Sequence, residues 1–237
     1  MLKRTAFTAA FAGLLAALLL TLLQSFWVTP LILQAETYEQ AAEPEPAAEP
    51  VHEHAAQGAH EHAVEAWAPE DGWQRTLSTA LSNLVVSVGF GLILAGLFTL
   101  RAPRKTWQGI LWGLAGFATV SLAPSAGLPP ELPGTAAADL LSRQIWWLGT
   151  ALATAAGLAL LAFARGWALR VLGLALLAIP HLIGAPHPEV PASLAPEALE
   201  QQFQIASLAT NALFWAVLGW LCAWIYRRGT NPEVVEL

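Results

Sequence analysis

Four of the chain's six histidines fall between Val51 and His62, in the stretch VHEHAAQGAHEH. Imidazole is the commonest side-chain ligand for borderline divalent ions. The pairs His52-x-His54 and His60-x-His62 would each set two rings on the same side of an extended chain, with Glu53 and Glu61 adding negative charge. The chemistry this predicts is capture of a divalent cation. Neutral imidazoles suit Co(II), Ni(II), Zn(II) and Cu(II) alike, and affinity order alone favours copper, so the donor set does not name the metal. A competing reading is a low-complexity solvated segment with incidental histidines, and a loop of this composition often only raises local ion concentration. The other two, His181 and His187, lie in IPHLIGAPHPE. There Pro180 would free a carbonyl one turn back, and Gly184 and Pro186 would stop a helix. This predicts an unwound, His-bearing helix end able to receive an ion from the loop, with both imidazoles as ligands. The alternative is an interfacial histidine bonded to a loop carbonyl.

The elements that must position these residues follow from composition. Of 237 residues, 56% are hydrophobic and only 12% charged, with 11 tryptophans, which is too apolar for an ordinary soluble domain. Crossing a bilayer takes about 20 apolar residues in a helix. Six segments come near that length, at residues 6–33, 77–100, 107–123, 144–164, 167–183 and 203–226. The expected fold is an all-α, polytopic helix bundle forming a single membrane domain over residues 1–237. Arg165 and Gly166 alone separate the fourth and fifth segments, which predicts a tight helical hairpin. The first segment opens on Lys3-Arg4 like a signal peptide, but its apolar run is too long and lacks a small-x-small cleavage site, so it is expected to be retained.

Basic residues set the orientation. With a cytoplasmic N-terminus, Lys3, Arg4, Arg101, Arg104, Lys105, Arg165, Arg170, Arg227 and Arg228 fall inside, and only Arg75 and Arg143 outside. Both termini are then cytoplasmic. All six histidines and 15 of the 17 acids belong to the outer face, ten of them between Glu36 and Asp71. Such a face attracts cations, and this favours uptake over export, although positive-inside sorting alone also leaves acids outside. Residues 34–72 are expected to be a flexible, acidic, His-rich periplasmic loop, because their Pro, Glu and Ala content cannot bury a core.

Inside the second segment, Thr79, Asn83 and Ser87 recur on one helical face. The sixth offers Ser207, Thr210, Asn211 and Trp215 as a match, so the stripe predicts helix–helix hydrogen bonds or an ion path. Gly109, Gly113 and Gly116 give the third segment a small-residue packing face. The four prolines from Leu122 to Gly134 predict a shaped outer loop, where Arg143 should pair with Glu131 or Asp139. Cys222 stands alone in an apolar run, so neither a disulfide framework nor a Cys-based metal site is expected. The chain lacks P-loop, G-x-G-x-x-G, G-x-S-x-G and H-E-x-x-H signatures, and no acid lies inside a segment. No enzyme activity, no permanently bound cofactor and no nucleic-acid partner are expected; the partners are lipid and a captured or transported divalent cation.

The blocks FWVTPLILQAETYE, WAPEDGWQRT, WGLAGFATVSLAPSAGLPPELPG, SRQIWWLGTALATAAGLAL and IPHLIGAPHPE together resemble the predicted cobalt transporter subunit family of the CbtA type, over nearly the whole chain. The resemblance implies Co(II) uptake across a bacterial inner membrane, supplying cobalamin synthesis. It also implies a small one-span partner subunit with its own C-terminal histidine motif. Members of that family are usually described with five spans; cleavage of the first segment would reconcile this with six. The resemblance carries no established site residues, so His52, His54, His60, His62, His181 and His187 stand on side-chain chemistry alone. A metal-binding accessory or scaffold subunit, whose partner forms the permeation route, is the alternative function.

Overall fold

Prolines at positions 30 and 124 lie inside apolar runs, where a ring would clash with the carbonyl four residues back and leave it without a donor. In the computed structural model, which describes residues 2–42 and 69–229, both prolines are accommodated in the same way. A π turn, Gln24–Val28, ends two residues before Pro30, and a second, Ala118–Leu122, ends two residues before Pro124. Thr29 N–H bonds to Gln24 O, and Ala123 N–H to Ala118 O, so one extra residue is looped out and the helix widens ahead of each ring.

The described residues form six helices and no strand beyond a single bridge between Thr135 and Ser193. Helix α1 is continuous over Leu2–Ala42. Next come α2 (Trp73–Leu100), α3 (Gln108–Phe117, continued by the π turn and Ala123–Ser125), α4 (Leu140–Phe163), α5 (Trp167–Ile183) and α6 (Glu197–Arg228). Each coincides with one apolar segment of the sequence. By length and composition, α1, α2, α4 and α6 can cross a membrane; α5 is a shorter apolar helix. Four candidate spans therefore stand where six were expected, because α5 is 17 residues long and the π turn interrupts α3 after ten.

Several ends differ from the hydropathy limits. Helix α1 continues past Leu33 to Ala42, into the segment expected to be a flexible tether, because Ala, Gln and Glu favour helix whether or not they are apolar. Ala35 is fully buried there. Helix α6 begins at Glu197, six residues before the apolar run, with Glu197 and Glu200 in its first turn complementing the helix dipole. The helix of α3 likewise runs through Pro124 to Ser125, where the proline count predicted loop.

Helix α6 is the hub, touching α1, α2 and α3, while α1 packs along α2 and α5 along α4. Its contact with α3 is backbone to backbone: Gly109 and Gly113 face Gly219 and the Trp215 carbonyl so closely that a Cβ at any of the three glycines would overlap backbone atoms. Phe98, Phe214, Leu218 and Cys222 fill the main core. A second core of Val28, Ala35, Leu132, Ala195, Leu199 and Phe203 joins the overhanging ends of α1 and α6 to the loop after α3. At the hairpin between α4 and α5, Gly166 supplies the positive φ of 103° that the turn needs.

Candidate functional site

Charge separates by end of the bundle. At one end Arg4 lies over the Tyr226 ring at 3.9 Å, Arg101 over Phe163 at 4.3 Å, and Arg228 over Trp224 at 4.0 Å. Arg227 donates to Thr106 Oγ1 at 3.0 Å. Aromatic faces and helix C-termini both favour these cations. At the other end Arg75 and Arg143 are ion-paired. Arg75 binds Glu36 through both terminal nitrogens and Asp71 at 2.7 Å, clamping the start of α2 to the overhang of α1. Arg143 binds Glu131 at 2.6 Å. Asp139 instead caps α4, accepting from Ser142 N–H at 2.9 Å and Ser142 Oγ–H at 3.0 Å, which holds its carboxyl below the usual range.

The His52, His54, His60 and His62 cluster lies outside the described residues. His181 is exposed, in the last turn of α5, and meets the Trp146 ring edge-on at 6.2 Å between centroids. It was expected on an unwound end, yet α5 stays helical through Pro180 to Ile183 and stops at Gly184, with φ of 85°. The Pro180 carbonyl receives the Trp146 indole N–H at 3.3 Å as well as Gly184 N–H, so the turn is held from α4. His187, on the loop beyond, is exposed between Pro186 and Pro188. Among the described residues, no three His, Cys, Asp or Glu side chains converge as a metal cluster.

The polar stripe of α2 has a different partner from the one expected. Asn83 gives both amide hydrogens to α1, to Thr21 Oγ1 at 3.0 Å and Gln24 Oε1 at 2.7 Å, where the π turn begins. Ser87, one turn on, is fully buried, and Thr79 half-buried. On α6, Asn211 donates to the Ser207 carbonyl of its own helix at 2.9 Å. The stripe is thus a helix–helix contact between α1 and α2 at Asn83.

One cavity, of about 410 Å³, lies at the ion-paired end between the loop after α3, the loop after α5 and the first turns of α6. Glu131, Thr135, Arg143, His187 and Glu200 contribute to its wall. Ala136 N–H bonds to Ala192 O at 2.8 Å and Leu194 N–H to Gly134 O at 3.3 Å, zipping the two loops together. Thr135 and Glu200 were not singled out from the sequence. Their positions, 65 residues apart, carry no shared motif; only the packing of two loops against α6 unites them.

Compared with known proteins, residues 2–227 match the family model described as probable cobalt transporter subunit (CbtA). No curated protein and no solved structure matches the chain.

Proposed function

The chain belongs to the probable cobalt transporter subunit (CbtA) family, and from that membership we propose that it is the membrane subunit of a Co(II) uptake system in a bacterial inner membrane, supplying cobalamin synthesis. The observation that carries this reading is the family match along residues 2–227. The separation of charge supports it: arginines gather at one end of the bundle and ion-paired acids at the other, as expected if the first end is cytoplasmic. In this orientation both termini are inside, and α3 and α5 complete a six-span bundle. His52, His54, His60 and His62 then collect the ion outside, and His181 and His187 receive it. The word subunit in the family description fits a second membrane chain, a one-span protein with its own histidines.

A second reading, an accessory metal-binding or scaffold subunit, has one observation in its favour. The Asn83 amide, the best polar candidate inside a span, is fully engaged in holding α1 to α2. Radiolabelled Co(II) uptake into cells or liposomes separates the two. Uptake by this chain alone, reduced by His181→Ala and lowered at scarce Co(II) by deleting residues 52–62, supports the transporter. Uptake only after the partner is added supports the accessory role. Unchanged transport in His181→Ala removes that residue from the route.

A further inference from the structure

Every acid among the described residues lies at the ion-paired end, on the overhang of α1, at the start of α2, in the loops after α3 and α5, or in the first turns of α6. Among the described residues the arginine end therefore holds cations alone, and the fold collects one group of them. Arg101, just past the end of α2, lies over the Phe163 ring at 4.3 Å, which ties the end of α2 to the end of α4. Phe163 is in turn braced by Trp112 of α3, at 5.7 Å between centroids. Arg165 follows Phe163 by two residues, and Arg104 and Lys105 follow Arg101 by three and four, so covalent geometry keeps each Cα within about 14 Å of the residue it follows. The loop carrying Arg104 and Lys105 is fixed: both backbone N–H groups donate to Gln108 Oε1, at 2.7 and 3.1 Å, and Pro103 is buried. All four cations are exposed, and none has an acid as partner among the described residues.

We propose that Arg101, Arg104, Lys105 and Arg165 bind the phosphodiester headgroup of an anionic phospholipid, at the junction where the loop between α2 and α3 meets the α4–α5 turn. Sorting of basic residues accounts for the side of the membrane on which they lie, but not for their collection around one contact between Arg101 and Phe163. A guanidinium held over a ring still has its N–H edge for a bidentate partner, and a phosphate matches that edge. The surroundings are apolar: Leu100, Trp107, Phe163 and Trp167 are all exposed. Cations beside exposed aromatic and aliphatic side chains at a helix end match the level at which a headgroup meets its acyl chains. An acidic partner protein would satisfy the charge and leave those side chains without a role. The proposal needs only that the bundle lies in a bilayer, and is independent of the cargo and of the direction of transport.

Native mass spectrometry of the full-length protein in detergent tests this, by counting bound lipid and giving affinities for cardiolipin, phosphatidylglycerol and phosphatidylcholine with matched acyl chains. The expected result is that both anionic lipids bind at least about tenfold more tightly than phosphatidylcholine, with the difference shrinking as ammonium acetate is raised. Arg101→Gln combined with Arg165→Gln should weaken anionic-lipid binding about tenfold or more. Arg104→Gln combined with Lys105→Gln, which alters exposed loop side chains only, should weaken it as well, and serves should the first pair misfold. Arg228→Gln removes the same charge from the same end, on α6, and should leave binding unchanged. Equal affinity for phosphatidylcholine overturns the proposal and leaves the patch to an acidic protein. An equal loss in Arg228→Gln overturns it too, because the attraction would then belong to the whole end. Displacement of the lipid by inorganic phosphate at constant ionic strength would make this a free-anion site and likewise overturn it.

Discussion

Asn83 shows how much one side chain can determine in a membrane bundle. Lipid tails are as apolar as leucine, so helices there associate through close packing and the few hydrogen bonds available. Asn83→Ala removes two of them, leaving Thr21 and Gln24 to find other donors beside the π turn. The expected loss is about 1 kcal/mol, read by reversible unfolding in detergent, and a double-mutant cycle with Gln24→Ala should give a coupling of about 0.5–1 kcal/mol. Zero coupling would mean that the contact is incidental. Asp139 makes a pH prediction. Its carboxyl is depressed by the Ser142 donors, so its contribution to stability is present above the ordinary carboxylate value of about 3.9 and disappears as pH falls through the lower folded value. Asp139→Asn keeps a cap without a titrating group and should flatten the acid limb of a melting-temperature profile; a limb of unchanged slope assigns the acid sensitivity elsewhere. Such residues are only partly legible in sequence. The row Thr79, Asn83, Ser87 could be read as a polar face, but α1 carries Ser, Thr and Gln and α6 carries Ser, Thr and Asn, and only the crossing of helices decides which of them Asn83 meets.

At the scale of elements, glycines divide into two groups that composition cannot separate. A Cβ at Gly113 would overlap the Trp215 backbone carbonyl, whereas one at Gly149 meets nothing within 4 Å. Gly113→Leu should therefore separate α3 from α6 at a cost of about 3 kcal/mol or more, seen as loss of monodisperse protein on size exclusion. Gly149→Ala should be neutral or gain up to about 1 kcal/mol. A tolerated Gly113→Leu would contradict the backbone contact. The positions of the six helices were legible because apolar runs are bounded by charges and prolines. Their ends were not. A hydropathy limit marks where lipid stops, while a helix stops where its caps and backbone bonds do, and for α1 and α6 these differ by six to nine residues. The prolines from Leu122 onward misled in the same way, since a π turn two residues before Pro124 lets α3 carry it, as one before Pro30 does in α1.

For the whole molecule, the arrangement of charge makes a statement about sidedness. Gly229, beside Arg4, and Gly58, in the histidine segment, should lie on opposite faces of the membrane if the arginine-rich end is cytoplasmic. In a Cys222→Ser background, Gly58→Cys should react with a membrane-impermeant maleimide in intact cells, and Gly229→Cys only after lysis. The reverse pattern would put the histidines inside and end the capture role. The cavity was the least legible feature, because Glu131, Arg143, His187 and Glu200 come from three separate stretches and converge only when the overhanging ends of α1 and α6 close the second core beneath the loops.

The length of α1 has one more consequence. At ~1.5 Å per residue its 41 residues span about 60 Å, twice the ~30 Å hydrocarbon thickness, and its far end is clamped to α2 through Glu36 and Arg75. The segment from residue 43 to 68 is therefore leashed at two fixed points, Ala42 and Pro69. Covalent geometry alone keeps His62 within roughly 25 Å of Pro69 and His52 within roughly 36 Å of Ala42. Under the proposed capture role, an ion bound by His62 would be confined to a small half-sphere, an effective concentration of roughly tens of millimolar.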